Sequence, residues 1–467
     1  MINRKKTLSV FKLSMINIIA IDSLRNLPTN AANGFLLIAY YLIAVLFFLL
    51  PCILITAELA TNYPKTGGSY VWVKKAFGEK WALITIWLLW IYNVVWYPTI
   101  LAFIGASIAY LVNPALAQNK LFMVFIVVSL FSIATIVNCY GMKISSLVST
   151  LSAILGTMIP ILFIIGLGFY WVYSQNVLAI VPSAKNFLPH IQSFGDLAFL
   201  VVILFTLMGF EMSSIHAEEV KNPKKDYPKS LFYSSAVIVA TTILASLAIA
   251  IVIPKSELSL LGGLNQAFLY FLSAYHLKFL MPIITLLIIF GGFGSIAAWV
   301  IGPTKALMIA ADDGLLPKLL RYNNKKGAPV VILIIQAIIV ALLASLFLAF
   351  KSLNTSYWIL SDLTGQLALL YYVLLFAAAI KLRYNNKYDK RSTLAYQVPG
   401  KNWGMWICGL SGILISMIVF GLGFLPPSNI LPGSLFLHEA ILVIGILVFL
   451  FLPLFLYHCA KRETEKN

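Results

Sequence analysis

The stretch Phe205–Pro228, FTLMGFEMSSIHAEEVKNPKKDYP, begins as sequence fit for hydrocarbon and ends as a basic, proline-punctuated connection. Gly209, Phe210 and Glu211 stand in its middle: a flexible residue and a carboxylate inside an apolar run. A lone carboxylate in a membrane costs roughly 2.5–3.5 kcal/mol on insertion scales, so Glu211 is expected to face a protein interior and to have a partner there. A helix that unwinds at Gly209 also frees backbone N–H and C=O groups that lipid cannot satisfy. Such a break persists only where it lines a cavity or holds a ligand.

The rest of the chain has the same character. Of 467 residues, 61% are hydrophobic and 10% charged, against about 25% charged in a soluble domain. Apolar runs of roughly the 20 residues that a spanning helix needs recur throughout. We place spans at 10–36, 38–60, 82–112, 121–138, 145–173, 195–217, 231–253, 280–310, 329–349, 356–380, 404–424 and 436–459. The chain is expected to be an all-α polytopic membrane protein of about twelve transmembrane helices. The first run follows Arg4, Lys5 and Lys6 but continues too far for a signal peptide and has no small-residue cleavage site, so it is read as a retained helix.

The net charge of +17 belongs to topology, not to a nucleic-acid partner. Lys65, Lys74, Lys75 and Lys80, then Lys221, Lys224, Lys225 and Lys229, cluster in alternate connections, as do Lys318, Arg321, Lys325 and Lys326. Lys381, Arg383, Lys387, Lys390, Arg391 and Lys401 form a further cluster, whereas Lys120, Lys185, Lys255, Lys278 and Lys351 are scattered on the other side. Positive residues collect on the cytoplasmic face, which sets both termini in the cytoplasm of a plasma (inner) membrane protein. Cys52, Cys139, Cys408 and Cys459 have neither metal nor disulfide spacing and are read as packing residues. No cofactor, metal site, phosphate loop or catalytic His/Asp/Glu cluster is expected, which argues against an enzyme.

A second interruption lies in the first span, where AIDSLRNLPTNAANG (20–34) puts Asp22, Ser23, Arg25, Asn26, Pro28, Thr29 and Asn30 at membrane depth. Paired broken helices in matching positions of two halves point to an inverted-repeat transporter with its site at the midplane. The helix N-terminus at a break offers N–H groups to an anion and the other end offers carbonyls to a cation. An α-amino acid carries one charge of each sign. Asp22 and Arg25, three apart, either pair with each other or leave Arg25 for a bidentate contact with a substrate carboxylate.

Between spans, 61–81 reads as a Pro-Lys-Thr-Gly-Gly turn and an interfacial or partly re-entrant helix at Tyr70–Phe77. The segment 254–279 has room for a short helix around Gln266–Ala274. The glycines of GGFGS (291–295) suit close helix packing and also clear space beside Ser295. His216, Glu218, Glu219 and Asp226 stand beside the lysines after the sixth span, as an inner gate network or as a solvated charged loop. Asp362, in LSDLTGQL, lies near the outer end of the tenth span and is read as structural or as an extracellular gate.

Several stretches together carry a resemblance: PKTGGSYVWVKKAFG, GFEMSSIHAEEVKNPKKDYPKS, AIVIPKSEL, SIAAWVIGPTKALMIAADDGLLPKLLRYNNKKGAPV and FLPPSNI, in that order. From about residue 10 to 458 the chain resembles the amino acid–polyamine–organocation superfamily, and within it the glutamate/γ-aminobutyrate antiporter family. The resemblance implies a leucine-transporter-like 5+5 inverted repeat with helices 1 and 6 broken, and two peripheral helices. One transmembrane domain then covers 1–467, with 10–173 and 195–380 as the repeats and 404–459 as helices 11 and 12. It implies substrate contacts at the first break, Ile21, Asp22 and Ser23, and at Phe205 and Trp299; the residues themselves add Arg25, Gly209, Phe210 and Ser295 as candidate contacts. Proton-coupling or gating roles are expected at Glu211, Glu218 and Asp362.

The first break lacks the family's Gly-Ser-Gly turn, and the acid-resistance antiporter has a glutamate where Ser295 stands. That antiporter closes its inner mouth with a C-terminal plug. Here CAKRETEKN follows a span ending near His458, and no plug is expected. The function so implied is secondary active amino acid transport by alternating access, as exchange or as proton-coupled uptake, with a polyamine or amine transporter or a non-transporting sensor as alternatives. The partners are an amino acid substrate, with or without a proton, and the lipid bilayer; the oligomeric state is left open.

Overall fold

The computed structural model describes residues 9–64, 67–140, 151–152, 154–183, 187, 197–384, 395–425 and 435–465. The expectations at Lys65, Lys185, Lys387, Lys390, Arg391, residues 145–150 and most of FLPPSNI lie outside the described residues, as do the side chains of His216, Glu218 and Glu219. Every regular element described is helical, and among the described residues ten helices are long and apolar enough to cross a membrane. In chain order the principal elements are α1 (Val10–Ile21), α2 (Leu36–Asn62), α3 (Ser69–Phe77), α4 (Glu79–Val112), α5 (Lys120–Cys139), α6 (Ile154–Tyr173) and α7 (Phe199–Thr206). They continue with α8 (Pro223–Ala250), α9 (Gly263–Ala274), α10 (Met281–Asp312), α11 (Val330–Ala349), α12 (Leu353–Arg383), α13 (Lys401–Leu422) and α14 (Leu435–Glu465).

Local chemistry sets the ends of these helices. Asn119 caps α5 by accepting from Phe122 N–H at 3.0 Å, and Ser352 caps α12 by accepting from Asn354 N–H at 3.2 Å. Pro223 starts α8 in the first turn, where its missing N–H is harmless. Asp226 reaches back to Asn222 N–H at 3.2 Å. The connection expected over 218–230 is therefore shorter, and Lys224, Lys225 and Lys229 ride on the helix. The last helix likewise runs through Glu465 instead of ending near His458, and Glu463 accepts from Lys318 N–H at 3.2 Å. The apolar run ends at the membrane, but helical hydrogen bonds do not depend on lipid.

Burial separates a centre from a rim. The most apolar window of α4 is 83% buried and that of α12 is 78%, against 22% for α5 and α14 and 28% for α13. A helix apolar all round belongs inside a bundle, and α4 and α12 form that interior. α6 and α10 cross with their backbones in contact: a Cβ on Gly156 would lie 2.2 Å from Gly291 N. Only glycine permits that approach. On one membrane face, Glu58 of α2 accepts from Arg383 Nη1 at 2.6 Å and from Val398 N–H at 2.7 Å, fastening the α12–α13 connection to α2. Both side chains of this ion pair are buried.

Candidate substrate site

α1 stops at Ile21. Asp22 (φ −68°, ψ 119°) and Ser23 (φ −134°, ψ 120°) are extended before a 3₁₀ turn at Leu24–Asn26 and a short helix at Leu27–Ala31. Extended backbone suits any residue, so this gap needs no glycine. α7 stops at Thr206, and the chain resumes as 3₁₀ turns over Phe210–Glu219. Gly209 between them has φ +115°, and a Cβ there would come within 3.1 Å of Trp299 and 3.3 Å of Ile21. Backbone and space both demand glycine here.

Backbone groups freed at the gaps find side-chain partners. Trp299 Nε1 of α10 donates to the Ala20 carbonyl at 2.9 Å. Gly209 N–H donates to the Tyr372 hydroxyl of α12 at 2.8 Å, and that hydroxyl donates to Glu211 Oε2 at 2.5 Å. Glu211 thus has the partner that its depth requires. Its Oε1 is buried without a hydrogen bond.

A cavity lies where the two gaps face each other, and it brings together Ile21, Asp22, Ser23, Phe205, Ser295 and Trp299. The centre of a water molecule can range over about 40 Å³ within it. Asp22 carries the one carboxylate among the lining residues. Its Oδ2 accepts from Thr241 Oγ1 at 2.8 Å, while Oδ1 is buried with no hydrogen-bond partner.

Arg25 does not line this cavity. Its Nη1 donates to Thr99 Oγ1 at 2.8 Å and Ser361 Oγ at 3.3 Å, and its Nη2 donates to Asn26 Oδ1 at 2.7 Å. The guanidinium also stands 5.9 Å from the Phe205 ring and 5.6 Å from Tyr357. Arg25 is therefore one aromatic ring away from the cavity, and its polar partners are Thr99 of α4, Ser361 of α12 and the adjacent Asn26, which itself lines the cavity. It forms no pair with Asp22, and among the described residues no carboxylate lies within ion-pair distance of it.

Of the other expected contacts, Gly209 abuts Trp299, and Phe210 is fully buried but not in the lining. Asp362 is elsewhere. It packs on α12 beside Gly423, whose added Cβ would lie 2.9 Å from Oδ1, and neither of its oxygens has a hydrogen-bond partner. Away from the cavity, on the lysine-rich face, Asp313 at the end of α10 accepts from Tyr70 Oη at 2.6 Å and Lys74 Nζ at 2.7 Å of α3. Lys74 also lies 3.4 Å from Glu79. The Lys74 bond, then the Tyr70 bond, hold the Asp313 carboxyl below its usual range.

A family profile described as amino acid permease matches residues 8–451. The chain belongs to the amino acid permease family. An uncharacterized transporter of Legionella pneumophila is 48% identical over 462 residues, 99% of this chain and 98% of the relative. A glutamate/gamma-aminobutyrate antiporter of Lactococcus lactis is 30% identical over 99% of this chain and 92% of its own length. A probable agmatine/putrescine antiporter of the same species is 28% identical over 86% and 84%. The permease is thus a member of the amino acid–polyamine–organocation superfamily, related to glutamate/γ-aminobutyrate antiporter-like proteins. It is a membrane-embedded secondary transporter of amino acids or amines, from a family of transporters and not of enzymes.

Sequence reasoning missed part of the permease's cavity wall: Tyr92, Asn93 and Trp96 of α4, with Met208; Asn26, noted only as part of the first break, lines it too. One signal was present. Asn93 is an amide between aromatic residues in LWIYNVVWYPT, at the middle of a span where a polar side chain needs a reason. Glu58 gave no such signal, because it lies near a span end, where an acid ordinarily meets headgroups and water.

Proposed function

We propose that the permease exchanges amino acids, or an amino acid against an amine, by alternating access around the cavity between α1 and α7. The observation that carries this reading is the meeting of two helix gaps at one cavity. Asp22 Oδ1 is free there to accept from an ammonium group, and Tyr92, Trp96, Phe205 and Trp299 supply aromatic walls. A substrate cation gains from a carboxylate and from ring faces together. Exchange is favoured over uptake alone because two of the relatives are named as an antiporter and a probable antiporter.

In this reading the interrupted runs at α1 and α7 complete a set of twelve spans. Residues 10–173 and 195–380 are two inverted repeats, 404–459 holds peripheral helices 11 and 12, and both termini are cytoplasmic in a plasma membrane. Ile21, Ser23, Gly209, Phe210 and Ser295 shape the cavity with Phe205 and Trp299. Glu211 couples the second gap to α12. Arg25 acts behind Phe205, meeting a substrate carboxylate only when that ring swings aside. Glu218 and Asp362 belong to the two ends of the pathway.

A thermal-shift panel of the common amino acids and their decarboxylation products on the purified protein tests the assignment. Ligand at 100 times its dissociation constant stabilises a native state by about 2.7 kcal/mol, enough to raise the melting temperature visibly. At least one compound should do so, and Trp299→Ala and Phe205→Ala should each abolish the shift. A panel without a hit, or a shift that survives both substitutions, would remove the cavity as the site.

A further inference from the structure

The exposed side of the bundle carries a groove that shares no lining residue with the cavity at Asp22. It runs between α5 and α11, two peripheral helices. Its deeper section, about 320 Å³, is walled by apolar residues such as Val128, Ile338 and Ala341. The section nearer the membrane face, about 540 Å³, ends at Tyr140, Lys325 and Lys326. Thr135, Ile136 and Ile334 line both, so the two sections are continuous.

Dimensions and chemistry together describe an occupant. Val128 to Cys139 on α5 is eleven residue steps, roughly 16 Å at 1.5 Å each. One leaflet of the hydrocarbon core is about 15 Å deep. The groove is therefore as long as one leaflet is deep, and along that length its lining is apolar except for Ser132 and Thr135. The mouth is cationic. Lys326 Nζ stands 4.5 Å from the Tyr140 ring, and among the described residues neither Lys325 nor Lys326 has a carboxylate partner. Lys74, on another connection, is by contrast already engaged by Asp313 and Glu79.

Two further features suit a lipid headgroup. Asn324 fixes the lysine pair against the helix: its Nδ2 donates to the Cys139 carbonyl at 2.8 Å, and its Oδ1 accepts from Lys326 N–H at 3.0 Å and Ala328 N–H at 2.9 Å. One turn deeper, roughly 6 Å along α5, the Thr135 hydroxyl is buried without any hydrogen-bond partner. A helical threonine ordinarily bonds its own backbone, and a buried unpaired hydroxyl is costly. In a glycerophospholipid the ester carbonyls, which are acceptors only, lie just inside the phosphate.

We propose that this groove binds an anionic glycerophospholipid, with an acyl chain between α5 and α11, an ester carbonyl on the Thr135 hydroxyl and the phosphate between Lys325 and Lys326. Basic pockets between transmembrane helices on the cytoplasmic side take anionic headgroups by this chemistry. The site is separate from the cavity at Asp22 and does not depend on what the permease carries.

Cys139 lines the groove and serves as the reporter. The full-length protein, with Cys52, Cys408 and Cys459 replaced by alanine, is placed in nanodiscs of phosphatidylcholine alone or with increasing phosphatidylglycerol. The rate of maleimide labelling at Cys139 is measured in each. Phosphatidylglycerol should slow labelling in a saturable way, and inorganic phosphate should not. K325Q/K326Q should weaken this protection roughly thirtyfold, given the attraction of each lysine for an anionic surface. K325R/K326R should retain it, which guards against a folding defect, and K221Q/K225Q on another connection should leave it intact. Thr135→Val should weaken it less than loss of the lysines. Labelling equally slow in pure phosphatidylcholine, or protection unchanged in K325Q/K326Q, would show a groove filled by neutral lipid or by the protein itself and would overturn the proposal. Protection by inorganic phosphate alone would overturn the lipid assignment.

Discussion

The Tyr372 hydroxyl donates to Glu211 Oε2 at 2.5 Å while accepting from Gly209 N–H at 2.8 Å. One side chain of α12 thereby holds both the carboxylate and the backbone at the second helix gap. Tyr372→Phe removes both bonds and leaves buried groups unpaired, at about 1–3 kcal/mol for each. The variant should melt well below wild type in detergent and transport poorly. A melting temperature within error of wild type would show that the gap does not rely on Tyr372.

Glu211→Gln keeps an oxygen for Tyr372 but cannot lose or gain a proton. If Glu211 carries a proton during the cycle, this variant should fold and bind while its uptake becomes flat across pH. Uptake with the wild-type pH profile would reduce Glu211 to a strut.

Asp22 and Arg25 sit in separate networks, one on Thr241 and the other on Thr99, Ser361 and Asn26. In a double-mutant cycle, Asp22→Asn should therefore not rescue the stability lost in Arg25→Gln. Unshared partners predict effects that add within about 0.5 kcal/mol. A double variant more stable than Arg25→Gln alone would reveal an ion pair formed in another state of the transporter.

Glu58 and Arg383 are a different case, a buried pair at 2.6 Å. Removing one partner strands the other charge, which costs about 3–5 kcal/mol in comparable pairs. Arg383→Ala should lower the melting temperature sharply, and Glu58→Gln/Arg383→Met should recover part of the loss. Equal stability of Arg383→Ala and wild type would mean that the α12–α13 connection is held by other contacts.

The contact of Asp313 with Lys74 and Tyr70 predicts a pH window. Its carboxyl is held low by Lys74 and then by Tyr70, so its stabilising effect is complete above the ordinary carboxylate value near 3.9 and fades as pH falls through the lowered one. Lys74 is shifted upward by the same bond, and its share is complete below its ordinary value near 10.4 and fades only above it. The contact should hold unchanged from about pH 5 to 9. Asp313→Asn should consequently alter transport by the same factor at pH 5.5 and pH 7.5. A factor that changes across that range would place another titrating group in the contact. Because these side chains are partly exposed, the effect on stability should be small.

Much of this was legible because membranes make polar residues conspicuous. Asp22, Arg25 and Glu211 stood out inside apolar runs, and each proves buried among named partners. The partners themselves were not legible. Arg25 meets Ser361 across 336 residues, and Thr241 reaches Asp22 across 219; no local pattern encodes such pairings. α4 hid its contribution for another reason. A helix buried all round has no polar face, so periodicity does not say which of its residues face the cavity. Helix ends outside the membrane were displaced in the same way, since hydropathy falls at the bilayer edge while the hydrogen-bond ladder of α14 continues to Glu465.

The central claim is movement of an amino acid or amine through the site between α1 and α7, and counterflow in proteoliposomes tests it most directly. Vesicles loaded with each compound of the thermal-shift panel are diluted into the same labelled compound, without ion or voltage gradients. The account predicts transient, saturable accumulation of label for at least one ammonium-bearing compound. Trp299→Ala should lose it, and Asp22→Asn should lower its apparent affinity. A wild-type protein that binds such a compound yet gives no counterflow with any member of the panel would contradict exchange and leave a membrane sensor in its place.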